Sequence, residues 1–343
     1  MLLAFMASAP AQEYTSEKDI QEKSADDWRD FQIQGEYVFA DGPAVFAVQV
    51  LADGGGKFTL VGHPGGFPGQ GWIEKQVRIT FKGEIDGDFV NFKPVFMQNK
   101  EDYRKELEIP EGSKANTAKL NIAEKTISFE SPGKPARVAK RFDKRVSPTL
   151  GAEPPEGAVV FYDGVRGCTC TEMIVNDHGV NEETGALWPD MKTQPLEFGK
   201  TCKIHVEFML SFMPNARGQG RSNSGVYLDE NYECQVLDSF ALHGESDECG
   251  GFYQVARPKF NACFSPLKWQ TYDFDFTPAK FEDGKKVSNA RVTVWHNGIK
   301  IHDDLEIPGS TGGGVGENGD PHGVYFQGHG NKVQYRNIWI KYE

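Results

Sequence analysis

The chain has 343 residues, enough for one large domain and a smaller one, each with its own core. It carries 49 acidic against 37 basic side chains, a formal charge of −12, and that surplus repels polyanions and excludes nucleic acid as a partner. Beyond Phe5 every apolar run is broken by charge or glycine within a few residues, which excludes a helical membrane span.

The first stretch, "MLLAFMASAPAQEY", has the apolar part and the small-residue end of a secretory signal over residues 1–12, with Ala9-Pro10-Ala11 as an A-x-A cleavage pattern. A positively charged start is missing, so the expectation is a truncated signal on a secreted or periplasmic protein. Residues 13–31 are polar with sparse apolar positions and suit a surface helix. From Phe31 to about Arg145 short alternating runs such as "AVFAVQVL", "QVRITFKGEI" and "KTISFE" are punctuated by "DGGGK" and "IDGD". They predict a small antiparallel β domain over residues 13–146. Within it "GHPGGFPGQGW" has no helix pattern after it, which argues against a phosphate-cradling loop. It reads as a rigid loop carrying Phe67 and Trp72 to a partner or to the chain's own core.

"SPTLGAEPPEG", residues 147–157, is rich in Pro and Gly and marks a linker. From 158 to 343 the alternation resumes in "CKIHVEFMLSF", "NSGVYL", "YECQVLDSF", "WQTYDFDF", "ARVTVWHNGIKI", "GVYFQGHG" and "VQYRNIWIKY". No helical period interrupts it, and "HNG" at 296–298 is a hairpin turn. The expected fold is all-β: an antiparallel two-sheet sandwich preceded by the small β domain.

All six cysteines (Cys168, Cys170, Cys202, Cys234, Cys249 and Cys263) follow residue 167, so an exported chain is expected to form one to three disulfides, with 15 connectivities open. Zinc is disfavoured, because "CTC" turns its two side chains to opposite faces of an extended strand.

Period two sorts the strand residues into faces. Val226 and Leu228, Cys234 and Val236, and Val324 and Phe326 point into the core. Asn223, Gly225, Tyr227, Glu233, Gln235, Tyr325, Gln327 and His329 then share the other face, polar groups among aromatic planes that suit a sugar. The alternative is a solvated face with Glu233 as a cross-strand ion partner and His329 as a turn residue, though amides and tyrosines on several strands are less ordinary there than Lys, Glu and Thr.

These strands resemble the 3-keto-disaccharide hydrolase domain family over roughly residues 157–343. The resemblance rests on "VVFYDG", "SNSGVYLDENYECQVLDS", "GGFYQVARP", "KWQTYDFDF", "VTVWHNGIKIHD" and "GVYFQGHGNKVQYRNIWIK" in that order. It implies a concanavalin-like jelly roll, in line with the alternation. It departs at "VRGCTCTEMIV", where the family usually has a Trp-containing strand, and this puts the shape of one sheet edge in doubt. The resemblance implies a carbohydrate substrate oxidised to a ketone at C3 by a partner sugar 3-dehydrogenase. Such a ketone acidifies the C2 hydrogen, so a base can remove it, the enolate can expel the group on C1, and water can add.

That route needs a base, an oxyanion stabiliser and an acid. Glu233 and His329 are the candidates for proton transfer, with the base undecided between them. Asn223, Tyr227, Gln235 and Gln327 are expected to hydrogen-bond hydroxyls or the enolate, and Tyr253 and Tyr325 to stack on the sugar. Asp238 either touches substrate or caps a turn. Arg336, in "YRNI", either stabilises an oxyanion or is a paired structural arginine. No cofactor is called for, and no dense metal cluster stands out; the acidic loops "NDHGVNEETG" and "GENGDPHG" leave calcium as the one divalent cation worth testing. The alternatives are a non-catalytic carbohydrate-binding module and an envelope protein whose N-terminal β domain binds another protein.

Overall fold

The computed structural model describes residues 11–39, 46–73, 76–98, 106–110, 116–165, 174–175, 179–197 and 199–343. The expected signal therefore lies almost wholly outside the described residues, as do Cys168 and Cys170. Two short helices come first, Glu17–Lys23 and Ala25–Ile33. Each starts at a serine whose hydroxyl accepts a first-turn N–H, Ser16 from Asp19 and Ser24 from Asp27.

The strands of the N-terminal sheet run in the order Ile79–Asp86, Lys57–Pro64, Phe46–Gly54, Gly35–Phe39, Arg137–Arg141, Thr126–Glu130, Thr117–Asn121 and Phe89–Gln98, all antiparallel. Phe89–Gln98 also pairs with Ile79–Asp86, so the sheet closes on itself as a barrel, with Glu106–Glu108 attached outside the ring. Closure removes the unpaired edges that an open sheet would present. Tyr37, Val48, Val50, Phe58, Leu60, Val90, Phe92, Leu120 and Ile127 fill the interior. Phe67 and Trp72 are buried in the chain's own packing, Phe67 stacked on Phe142, the second of the two placements expected for them.

The sandwich has a six-stranded sheet, in the order Val159–Tyr162, Gln334–Tyr342, Cys202–Met209, Trp269–Thr277, Ala290–His296 and Ile299–Ile307. Facing it is a five-stranded sheet, Ile174–Val175, Met191–Lys192, Tyr325–Phe326, Ser224–Leu228 and Tyr232–Val236. Val226, Leu228, Cys234, Val236, Val324 and Phe326 enter the shared core, as alternation required. Asn297 and Gly298 form the hairpin turn with φ of 52° and 76°. Cys202, Cys234, Cys249 and Cys263 are free, buried thiols that behave as small apolar core side chains, so the expected disulfides do not form among the described residues.

The linker is not a loose tether. Thr149 Oγ1 donates to Asp273 Oδ2 at 2.7 Å, the Gly151 N–H donates to Glu207 Oε1 at 2.5 Å, and the Ala152 carbonyl accepts from Asn337 Nδ2 at 3.0 Å. All three partners lie on the outer face of the six-stranded sheet, where His205 Nδ1 also sits 2.6 Å from Asp273 Oδ1.

Candidate active site

The five-stranded sheet puts the expected residues in two rows. Glu233 pairs with Tyr227 and Tyr227 with Tyr325 across three strands; Lys192 follows on the fourth. One step along, Gln235 lies opposite Gly225, whose carbonyl accepts the Gln327 N–H at 2.9 Å. Asp190 comes next, its N–H on the Phe326 carbonyl. Period two therefore gathers onto one outer face residues that lie more than a hundred positions apart in sequence.

The face is covered rather than solvated. Glu233 is 3% exposed, Asn223 2% and Gln235 1%. Three loops supply the cover; the strand pattern pointed to Tyr253 in one of them but to neither Gln219 nor the 309–316 segment. Gln219 accepts from Asn223 Nδ2 at 3.0 Å and from Gln235 Nε2 at 3.1 Å. Residues 250–253 run alongside Tyr232–Val236, with the Tyr253 N–H on the Glu233 carbonyl. Residues 309–316 cross above: the Thr311 hydroxyl accepts the Glu233 N–H, and the Gly312 carbonyl accepts from the Tyr227 hydroxyl at 2.9 Å. Gly313, at φ +83°, brings this loop so close that a Cβ would lie 2.7 Å from the Tyr227 oxygen. The signal for these loops was the glycine density of "RGQG" and "STGGG", which marks close backbone approach without saying to what.

Glu233 leans diagonally across the sheet. A Cβ added to Gly225 would meet its Oε1 at 2.4 Å, so the strand glycine opens the space that the carboxyl group occupies. Burial raises its pKa to about 7, with the Tyr227 hydroxyl opposing as a hydrogen-bond donor; no other carboxylate or cation acts on it among the described residues. Gln327 Nε2 donates to the Tyr227 oxygen at 3.0 Å, and burial with the nearby Glu233 charge raises the Tyr227 pKa, so that phenol stays protonated. Two buried acceptors, Asn223 Oδ1 and Gln327 Oε1, have no hydrogen-bond partner among the described residues. A buried acceptor left unmet costs about 1–3 kcal/mol, so a water or a ligand hydroxyl is what these two positions call for.

Tyr325 and Tyr253 stand half-buried at the borders of the face. His329 is exposed in the turn that follows Tyr325–Phe326 and makes no hydrogen bond to Glu233 among the described residues. Two expected residues lie elsewhere. Asp238 is turned away and holds Arg221 Nε at 2.6 Å, a buried structural pair. Arg336 belongs to the six-stranded sheet, where it pairs with Glu207 at 2.8 Å and covers the Trp269 ring at 3.8 Å; its neighbour Tyr335 takes the inward position, so Arg336 points away from Glu233. No group of three His, Cys, Asp or Glu side chains among the described residues is arranged to hold a metal. In the loop 316–323 both Glu317 oxygens are already engaged, by the Tyr232 hydroxyl at 2.5 Å and Lys286 Nζ at 2.7 Å.

Residues 161–341 match the model of a family described as the 3-keto-alpha-glucoside-1,2-lyase-like domain. Two crystal structures, each described only as a presumptive glycosyl hydrolase from Parabacteroides distasonis, match part of the chain. One is 24% identical over 54% of this chain and 84% of its own, with a TM-score of 0.46. The other is 19% identical over 44% of this chain and 73% of its own, with a TM-score of 0.29. No curated protein matches. The matched region takes in the sandwich and the whole Gln327–Tyr227–Glu233 network, and the chain belongs to the 3-keto-alpha-glucoside-1,2-lyase-like domain family.

Proposed function

We propose that this chain is an exported enzyme that cleaves glycosides already oxidised to a ketone at C3, by elimination across C1 and C2 followed by hydration. The carrying observation is a desolvated carboxyl group, Glu233 with a pKa of about 7, set beside two buried acceptors without partners, Asn223 Oδ1 and Gln327 Oε1. Sugar hydroxyls are the donors those acceptors lack. Glu233 takes the proton from C2; the electron pair moves into the C3 ketone as an enolate, to which the Tyr227 hydroxyl donates once it turns from the Gly312 carbonyl. The enolate then reforms the ketone and expels the C1 oxygen, with the exposed His329 as the acid for the leaving group. Water adds to C1 of the resulting enone, and C2 regains a proton. The route needs one carboxyl group, whereas a conventional glycosidase pair stands roughly 5–9.5 Å apart. The ketone itself has to come from an oxidoreductase acting on the C3 hydroxyl.

The test uses methyl 3-keto-α-glucoside and its C2-deuterated form with the full chain. The proposal expects release of methanol, slowed several-fold by deuterium and lost in Glu233→Gln. Equal rates for both isotopologues, or cleavage of the unoxidised glucoside at the same rate, would overturn it. A non-catalytic carbohydrate-binding role predicts the polar contacts but gives no reason for the perturbed carboxyl group.

A further inference from the structure

A hollow of about 310 Å³ lies at the seam between the two parts of the molecule, with Arg78, Phe96 and Glu106 on the barrel side and Gly218, Leu242 and His243 on the sandwich side. Its size is at the lower end of small-molecule sites. Gly218 precedes Gln219, which holds Asn223 and Gln235 on the Glu233 face, so the hollow and the face share a loop.

Charge does not balance there. Four permanent cations line the hollow, Arg78, Lys82, Arg217 and Arg221, against three carboxylates, Asp53, Glu106 and Asp238. Three of the cations are matched. Arg221 pairs with Asp238 at 2.6 Å, and Lys82 and Arg217 both lie against Asp53, at 3.2 and 3.6 Å. Glu106 Oε1 goes to His243 at 3.4 Å and to the Thr80 hydroxyl at 3.1 Å. Arg78 is left over. It is 6% exposed and forms no ion pair among the described residues; Nη2 donates to the Ala241 carbonyl, and Nε has no partner. Glu248, the other carboxylate near it, is taken by the Gly244 and Glu245 N–H groups at 2.5 and 3.1 Å. Burial lowers the Arg78 pKa to about 10, as expected of a cation that the fold desolvates without neutralising. Holding one carbonyl needs no full charge, and a buried cation left unpaired is costly.

The lining also selects among anions. A phosphate dianion would meet three carboxylates around one surplus cation, whereas a monocarboxylate matches that surplus and suits the guanidinium geometry. Glu106 Oε2 has no partner among the described residues and is placed to accept from a hydroxyl, while Leu51, Phe96 and Leu242 offer carbon surface.

We propose that this hollow binds a small hydroxylated monocarboxylate, its carboxylate on Arg78 and a hydroxyl on Glu106. The test titrates the full chain by calorimetry at neutral pH with D-gluconate, sorbitol, propionate and inorganic phosphate. Gluconate should bind about 10-fold or more tightly than each of the other three, and Arg78→Gln should weaken it about 10- to 100-fold. Phe96→Trp leaves Arg78 in place and puts an indole on the wall of the hollow, where its added emission should follow the same isotherm. No binding of gluconate, equal binding of sorbitol, or tighter binding of phosphate overturns the proposal. So does an unchanged gluconate affinity in Arg78→Gln, or an emission of Phe96→Trp that gluconate alters no more than that of wild type.

Discussion

Glu233 holds its proton to about pH 7 because the sheet and its covering loops strip water from the carboxyl group. Its folded pKa lies above the unfolded value of 4.5, so between those values the native state binds the extra proton and stability falls as pH rises. A shift of that size corresponds to roughly 3 kcal/mol, an upper bound for one buried group. Glu233→Gln should therefore raise the melting temperature at pH 8 relative to wild type and change it little at pH 4, while turnover is lost. A variant no more stable at pH 8 than wild type would contradict the burial argument. In wild type, kcat/KM should climb through a limb near pH 7 as the base ionises. Gly225→Ala tests position rather than charge. Its Cβ would collide with Glu233 Oε1 from 2.4 Å, and displacing a base by about 1 Å costs on the order of 100-fold in kcat/KM. The circular dichroism spectrum should stay that of wild type.

At the scale of elements, the outer face of the six-stranded sheet works as a clamp for the linker. Burial alone would raise the Glu207 pKa, but hydrogen bonds from His205, Asn337, the Gly151 N–H and Arg336 outweigh it and hold the group at about 2. His205 is shifted the other way: burial would lower it, and Asp273 and Glu207 raise it. A depressed carboxylate contributes stability above pH 4.5 that is lost as pH falls towards 2. Glu207→Gln should thus cost about 3 kcal/mol in urea denaturation at pH 7, with the difference shrinking by pH 3. It should leave the C2 isotope effect unchanged, since Glu207 lies on the sheet opposite Glu233. Equal destabilisation at both pH values would show that packing rather than charge holds the linker.

For the molecule as a whole, barrel and sandwich share core. Phe212, which follows a sandwich strand, sits in the barrel's cluster with Tyr14 and meets the Phe31 ring at 5.2 Å. Tyr14 in turn bridges to the Phe212 backbone, and Glu13 Oε1 accepts from the Ser211 hydroxyl at 2.6 Å and the Lys332 N–H at 2.6 Å. Across the same junction Arg221, paired with Asp238, donates to the Ala52 carbonyl, and Arg78 donates to that of Ala241. Phe212→Ala should cost about 3–5 kcal/mol and lower the unfolding midpoint of both parts together, followed by calorimetry. Two separated transitions, with only one shifted, would mean that barrel and sandwich unfold independently.

The alternation of "NSGVYL", "YECQV" and "GVYFQ" already put Val226, Cys234 and Phe326 inside and Tyr227, Glu233 and Gln327 together on the other face. A two-residue period is a local property of backbone geometry, and burying one face fixes the register. Arg336 shows where that reasoning ends: phase within a strand does not say which sheet the strand joins. Asp238 shows the same for partners, because its arginine sits 17 residues earlier in a loop. Nor could the sequence tell that Glu233 is dry. That follows from loops at 216–222, 250–253 and 309–316 closing over it, and contact between distant loops is decided only when the chain is packed. The strand pattern, then, was written in side-chain polarity, whereas the perturbed carboxyl group, the barrel's closure and the hollow at Arg78 arise from long-range packing that no local period encodes.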